Sequence, residues 1–206
     1  MSDTDKAVNI FVTALGQSMA GIDPEYFQIR HAGGTSIPLE RLYCYELYHQ
    51  LRLRQENSSY TINGEVVKGR NESFMEQYKL CTNNDTYPIP DLIVHRQALP
   101  DNLAVIEVKV ARQGGPMNPI QDFKKLRCFT EADGVNYKCG IFLVFGEPEP
   151  RIHGLQNQPE RVHVLWHAHF DQPVRVLQTQ NRGLWPSDLF KLTPVSGLAE
   201  GARGNR

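Results

Sequence analysis

PDLIVHRQALPDNLAVIEVKV, residues 90–110, holds two short apolar runs around a turn signal. Asp91 to Arg96 and Leu103 to Val110 are rich in β-formers, and QALPDN between them carries the Pro, Asp and Asn of a turn. Paired antiparallel with a register centred near Leu99, the two strands set Asp91 opposite Glu107. Directly paired residues have Cβ atoms about 4.5–5.5 Å apart on one face. Side chains alternate along a strand, so Lys109 is aimed at the face of Glu107. Two carboxylates so close repel unless a cation lies between them or one takes up a proton. The expected product is a pair of hard oxygen ligands with an ammonium beside them, the set that a divalent cation such as Mg²⁺ or Mn²⁺ uses.

Working outward, periodicity predicts an amphipathic helix over residues 4–19, with Gly21 as its stop, and a short turn or helix at Asp23-Pro24-Glu25. A second helix of about 15 residues starts after Pro38. Its apolar stripe is Leu39, Leu42, Tyr43, Leu47 and Leu51, with Gln50 on it and Glu46 interrupting it. An acid on such a stripe must be paired, bind metal or lie at the edge. Asn63-Gly64 between Tyr60-Thr61-Ile62 and Val66-Val67 predicts a hairpin. A helix is expected over 118–132, with Asn118 as cap and Pro119 at its first position. Strands are expected at Cys139–Phe145 and Val162–Ala168. The whole reads as one α/β domain over residues 1–192, a central mixed sheet flanked by helices, with a mobile tail at 193–206.

Composition bounds the function. The 206 residues carry 22 basic and 23 acidic side chains, a formal charge of −1, so any surface for a polyanion must be local. No apolar run approaches the ~18 residues of a membrane span, and the acidic N-terminus lacks a secretory n-region. A cytoplasmic protein is the expectation. Cys44, Cys81, Cys128 and Cys139 contain no CxxC pair, which argues against a zinc site and for buried free thiols. His163, His167 and His169 share one face of their strand with Leu165, which reads as a half-exposed strand before it reads as a metal site.

Pro90-Asp91 followed by Glu107-Val108-Lys109 at the end of an apolar strand resembles the PD-(D/E)xK nuclease superfamily. ERLYCYELYHQLR, residues 40–52, looks like the Glu-bearing helix of one uncharacterised bacterial branch; Asn63-Gly64-Glu65 through Lys68 and Asp122 through Leu126 resemble two further elements of it. The resemblance covers residues 38–146 and implies a restriction-endonuclease-like core. It implies Asp91, Glu107 and the Val108 carbonyl as metal ligands, with Glu46 completing the shell. Lys109 is then the water-orienting base or charge stabiliser, and Glu65 and Lys125 are supporting residues.

The function implied is Mg²⁺- or Mn²⁺-dependent hydrolysis of phosphodiesters, in DNA before RNA, by a chain that dimerises in many such nucleases. Arg52, Arg54, Lys68, Arg70, Arg112 and Lys124 are the candidates for contact with the nucleic-acid backbone, which would position and not specify. Two alternatives stand beside this reading. Val67 occupies a position where that branch carries an acid, which fits a binding or assembly module that keeps the fold and has lost the chemistry. The three residues could equally form a salt-bridged face of a metal-free interaction protein.

Overall fold

In the computed structural model the described residues are 3–30, 33–34, 36–55, 58–66, 72–111, 117–131, 135–147, 149–155, 159–170, 172 and 174–178. Helix α1 (Asp3–Ala20) is followed by α2 (Pro24–Phe27), the two-residue strands β1 (Ile29–Arg30) and β2 (Ser36–Ile37), and α3 (Glu40–Arg54). Then come β3 (Thr61–Gly64), α4 (Glu72–Thr82), β4 (Leu92–His95), β5 (Asn102–Val110) and α5 (Ile120–Glu131). Strands β6 (Cys139–Phe145), β7 (Val162–His167) and β8 (Arg175–Gln178) complete the chain's described elements. The protein is α/β: β3 to β8 form one six-stranded mixed sheet in sequence order. The β5–β6 and β6–β7 pairs are parallel and the others antiparallel.

Helices cover both faces. Val8, Phe11, Leu15 and Met19 of α1 and Tyr43, Leu47 and Leu51 of α3 pack on Leu92, Val94, Ile106, Val108, Ile141 and Leu143. Phe74 and Tyr78 of α4 and Phe123, Leu126 and Phe129 of α5 pack on Ile93, Val105, Phe142, Val144 and Val164. Covered on both sides, β5 and β6 are near-continuous apolar runs, as the middle of a parallel sheet requires. Each buried Leu, Ile, Val or Phe contributes about 1.5–3 kcal/mol of burial, so the two layers together secure the sheet.

The β4–β5 ladder pairs Leu92 with Ile106, Ile93 with Val105 and Val94 with Ala104, the register centred near Leu99. At its turn Arg96 N–H donates to Asp101 O at 2.9 Å and Ala98 is left-handed at φ 61°. Helix α5 begins at Ile120, one residue after the expected start at Pro119: Asn118 Oδ1 accepts from Ile120 N–H and Pro119 O from Phe123 N–H.

Several expectations need correction. Asn63-Gly64 does not turn a hairpin; both lie in β3, which pairs antiparallel with β4, Asn63 with Ile93 and Gly64 with Leu92. Pairing along a whole strand outweighed a two-residue turn preference. Leu39 stands outside α3 at its N-cap and is exposed. The polar stretch after residue 71 contains α4, whose one buried face is Phe74, Met75 and Tyr78. Strand β7 is not half-exposed: His163 and His167 are both buried. Cys44, Cys128 and Cys139 are buried free thiols, whereas Cys81 is exposed. Val67, Lys68, Arg70, Arg112 and the tail at 193–206 lie outside the described residues. Among the described residues no helix is long and apolar enough to cross a membrane.

Candidate active site at the carboxyl end of β5

Strand β5 ends beside the start of β4 and the end of β3, and the first turns of α3 and α5 reach the same end of the sheet. The apolar residues Val105, Ile106 and Val108 bury the strand completely, so Glu107 goes in with them and keeps only 2% of its surface exposed. By alternation it shares the side of Val105, toward α5. There Lys125 meets it: Nζ lies 2.6 Å from Glu107 Oε1 and also donates to Ile89 O at 2.7 Å. Glu107 Oε1 nonetheless has no hydrogen bond of ordinary direction. Burial pushes the Glu107 carboxyl up to about 8, against the pull of Lys125 and with a further push from Asp91.

Asp91 sits one residue before β4, where the backbone has bent out of the ladder. It does not continue the ladder opposite Glu107. Its Oδ2 instead accepts from Val108 N–H at 2.7 Å, replacing the lost strand partner with a side chain. In an extended strand a residue's N–H and C=O point to the same side, so the Val108 carbonyl faces Asp91 as well. The Asp91 charge raises Glu107 on β5, Asp122 on α5 and Cys44 on α3 alike. Its carboxylate therefore stands at the end of the sheet, between the two helical layers.

Lys109 does not pair with Glu107. It reaches 3.3 Å to Oε1 of Glu40, the first residue of α3. Burial works to lower the Lys109 ammonium, but Asp122, Glu40, Asp91 and Glu107 together outweigh it and leave it raised. Such an amine stays charged at neutral pH and suits holding negative charge, not removing a proton from water. Burial likewise raises Asp122, with Lys109 and Lys125 opposing. Six groups thus converge: Asp91, Glu107, Lys109, Glu40, Asp122 and Lys125.

Glu46 is not among them. Its Oε1 accepts from Gln50 Nε2 at 2.6 Å, and Gln50 Oε1 in turn accepts from Arg54. Glu40, Arg41, Cys44, Tyr45 and Tyr48 form the stripe of α3 that lines the adjoining cavity; at 3.6 residues per turn Glu46 falls about half a turn away. Helical periodicity had marked Glu46 as unusual, but the acid that reaches the site is Glu40. A signal for Glu40 and Asp122 was present in retrospect: each is an acid in a helix's first turn, where the dipole favours it.

Glu65 is close by and exposed, left-handed at φ 50°, with its N–H donating to Asp91 O and its carboxylate 3.1 Å from Arg41. Lys124 is exposed on α5, next to Lys125. Arg52 and Arg54 lie at the far end of α3, about 20 Å along the axis from Glu40 at 1.5 Å per residue. Arg54 bounds a cavity with Leu103, at the opposite end of β5. Neither arginine is among the six converging groups, but Arg52 donates to the Tyr48 hydroxyl at 3.4 Å, at the far side of the adjoining cavity.

The donors present suit Mg²⁺ in kind, since that ion takes one or two carboxylates and fills its shell with water and phosphate oxygen. Asp91, Glu107 and the Val108 carbonyl would hold it. Among the described residues no group of three or more His, Cys, Asp and Glu side chains is arranged to hold a metal ion. His163 and His167 are set apart from these acids: burial lowers both to about 4, and His167 Nδ1 shares a 2.9 Å hydrogen bond with the Tyr43 hydroxyl. Comparison of the chain with models of protein families, with curated proteins and with solved structures finds no match.

Proposed function

We propose that the chain is a Mg²⁺-dependent nuclease with a restriction-endonuclease-like core, hydrolysing phosphodiesters, in DNA before RNA. The observation that carries this reading is Asp91 bonded to the Val108 amide, between buried Glu107 and charged Lys109. Bound at Asp91 and Glu107, the ion would polarise a phosphoryl oxygen and acidify a water. Asp91 contributes the oxygen that its bond to Val108 leaves free. Lys109, held by Glu40, stabilises negative charge on the phosphoryl group. Lys125 is the internal counter-ion that lets Glu107 remain buried before a cation arrives. Lys124, exposed beside it, is the candidate for backbone contact among the described residues.

The test is cleavage of single-stranded and duplex DNA with Mg²⁺ or Mn²⁺, comparing wild type with Glu107→Ala and Lys109→Ala. Wild type should cut and both variants should not; equal behaviour of all three rejects the enzyme.

One observation favours a second reading, a binding module without chemistry. Lys125 already engages the Glu107 carboxyl from 2.6 Å, and the described residues form no three-ligand group. Calorimetry with Mn²⁺ separates the two: the module gives no binding that depends on Asp91 and Glu107.

A further inference from the structure

A cavity of about 380 Å³ opens beside Asp91, between α3 and the β3–β4 edge of the sheet. We infer that this cavity receives one unpaired nucleobase of a single-stranded nucleic acid, stacked against Tyr45 of α3. The inference rests on the nuclease reading for the neighbouring phosphate, and adds to it the form of the substrate.

Three observations support it. Tyr45 and Tyr48 both border the cavity; Tyr48 packs partly on the core with Arg52 over its ring, 5.8 Å from the centroid, whereas Tyr45 keeps 57% of its surface exposed. An aromatic face open to solvent beside a concave site is what a base needs for stacking, whatever its identity. Second, the polar lining is wrong for phosphate. Glu40, Glu65 and Asp91 border the cavity, and Arg41, the cation among its lining residues, is paired with Glu65 at 3.1 Å. Carboxylates repel phosphate but accept hydrogen bonds from the exocyclic amines and ring N–H groups of bases. Third, the volume is at the small end of ligand pockets. It has room for one base and not for a duplex, whose bases keep their faces stacked and their pairing edges occupied. Because Asp91 borders both the cavity and the proposed phosphate position, a base seated there belongs to a nucleotide next to the one that is cut.

The test uses the full chain in Ca²⁺, with fluorescence anisotropy of a fluorescein-labelled twelve-nucleotide single-stranded DNA, the RNA of the same sequence, and the DNA annealed to its complement. Wild type should bind at least one single strand about tenfold or more tightly than the duplex, and the DNA and RNA arms tell which sugar it takes. Tyr45→Ala should weaken single-strand binding roughly fivefold to a hundredfold, the range for losing one stacked base, with Tyr45→Phe restoring most of it. Tyr45 is exposed, so an unchanged melting curve excludes unfolding. Equal affinity for single strand and duplex, no binding of any probe, or indifference to Tyr45→Ala overturns the inference. Binding that depends on Tyr45 without cleavage in Mg²⁺ retains the base pocket and removes the nuclease; duplex cleavage indifferent to Tyr45 does the reverse.

Discussion

Lys125 holds its ammonium 2.6 Å from Oε1 of Glu107, in a position a cation must contest to reach that carboxylate. Glu107 is buried and Lys125 partly so, and the contact links α5 to β5. Removing one partner of such a pair leaves the other uncompensated unless it changes protonation. Glu107 can do so, because its carboxyl already sits at about 8.

Through the charge of Glu107, Lys125→Met should therefore cost the metal-free protein about 0.4 kcal/mol at pH 8, where that carboxyl is half ionised, and about 1.4 kcal/mol at pH 9. An acid whose folded pKa is raised stabilises the fold at low pH and loses that contribution as pH climbs through the folded value. For Glu107 the window runs from the ordinary carboxylate range to about 8. Without Lys125 the folded value rises further, so wild-type and variant stabilities should run in parallel from pH 5 to about 7 and separate toward pH 9. Urea unfolding at both pH values checks it; a pH-independent difference contradicts the ion-pair account.

Metal should bind with release of a proton. Mn²⁺ at a hundred times its dissociation constant should add about 2.7 kcal/mol of stability. Since Glu107 is half protonated near pH 8 and more so below, binding at pH 7 should liberate up to one proton per ion, seen as buffer-dependent heats in calorimetry. Glu107→Gln should abolish both the stabilisation and the proton release, and raise metal-free stability at pH 8.

The two helix acids should behave differently. Glu40→Gln removes the partner of Lys109 and should lower cleavage about tenfold or more, while Lys109→Met should lower it about a hundredfold to a thousandfold, typical of losing one charge stabiliser. Glu46→Gln should leave cleavage near wild type, since its carboxylate is bonded to Gln50 away from the site. Single-turnover rates at saturating metal measure all three; a strong defect in Glu46→Gln would return that residue to the site.

Acid should destabilise the fold through β7. Burial lowers His163 and His167 to about 4, so the unfolded chain binds more protons than the folded one between the ordinary imidazole value and that point. Stability is then present above about 6.5 and lost as pH falls through 4, each group contributing up to about 1.4 kcal/mol per pH unit in the window. Both imidazoles should remain neutral by NMR down to pH 5; titration of either near 6.5 contradicts their burial.

Much of this was readable from residue order. The turn between β4 and β5 fixed a register that the ladder keeps from Leu92 to Val94. The places of α1, α3, α5, β6 and β7 were equally plain, although β7 read as half-exposed and is buried throughout. What the sequence could not show was which end of α3 abuts the sheet's working end. Glu40 and Glu46 differ by less than two turns, and only docking against Leu92 and Val108 selects between them. Nor could it show that Asp91 would leave the ladder and bond to a backbone amide, or that Glu107 would find Lys125 before Lys109. Those outcomes depend on how two helices from opposite layers meet one strand end. The Asn63-Gly64 signal misled because β4, nearly thirty residues on, is the partner along which both residues pair.

The strictly sequential order of β3 to β8 has a bearing on how the chain comes together during synthesis. Each strand emerging from the ribosome finds its neighbour already waiting at the growing margin, so no later segment must thread between earlier ones. Asp91 and Glu107 are juxtaposed once β5 has zipped onto β4, whereas Lys125 emerges only afterwards. A nascent chain arrested between β5 and α5 would carry the two acids without their built-in counter-ion.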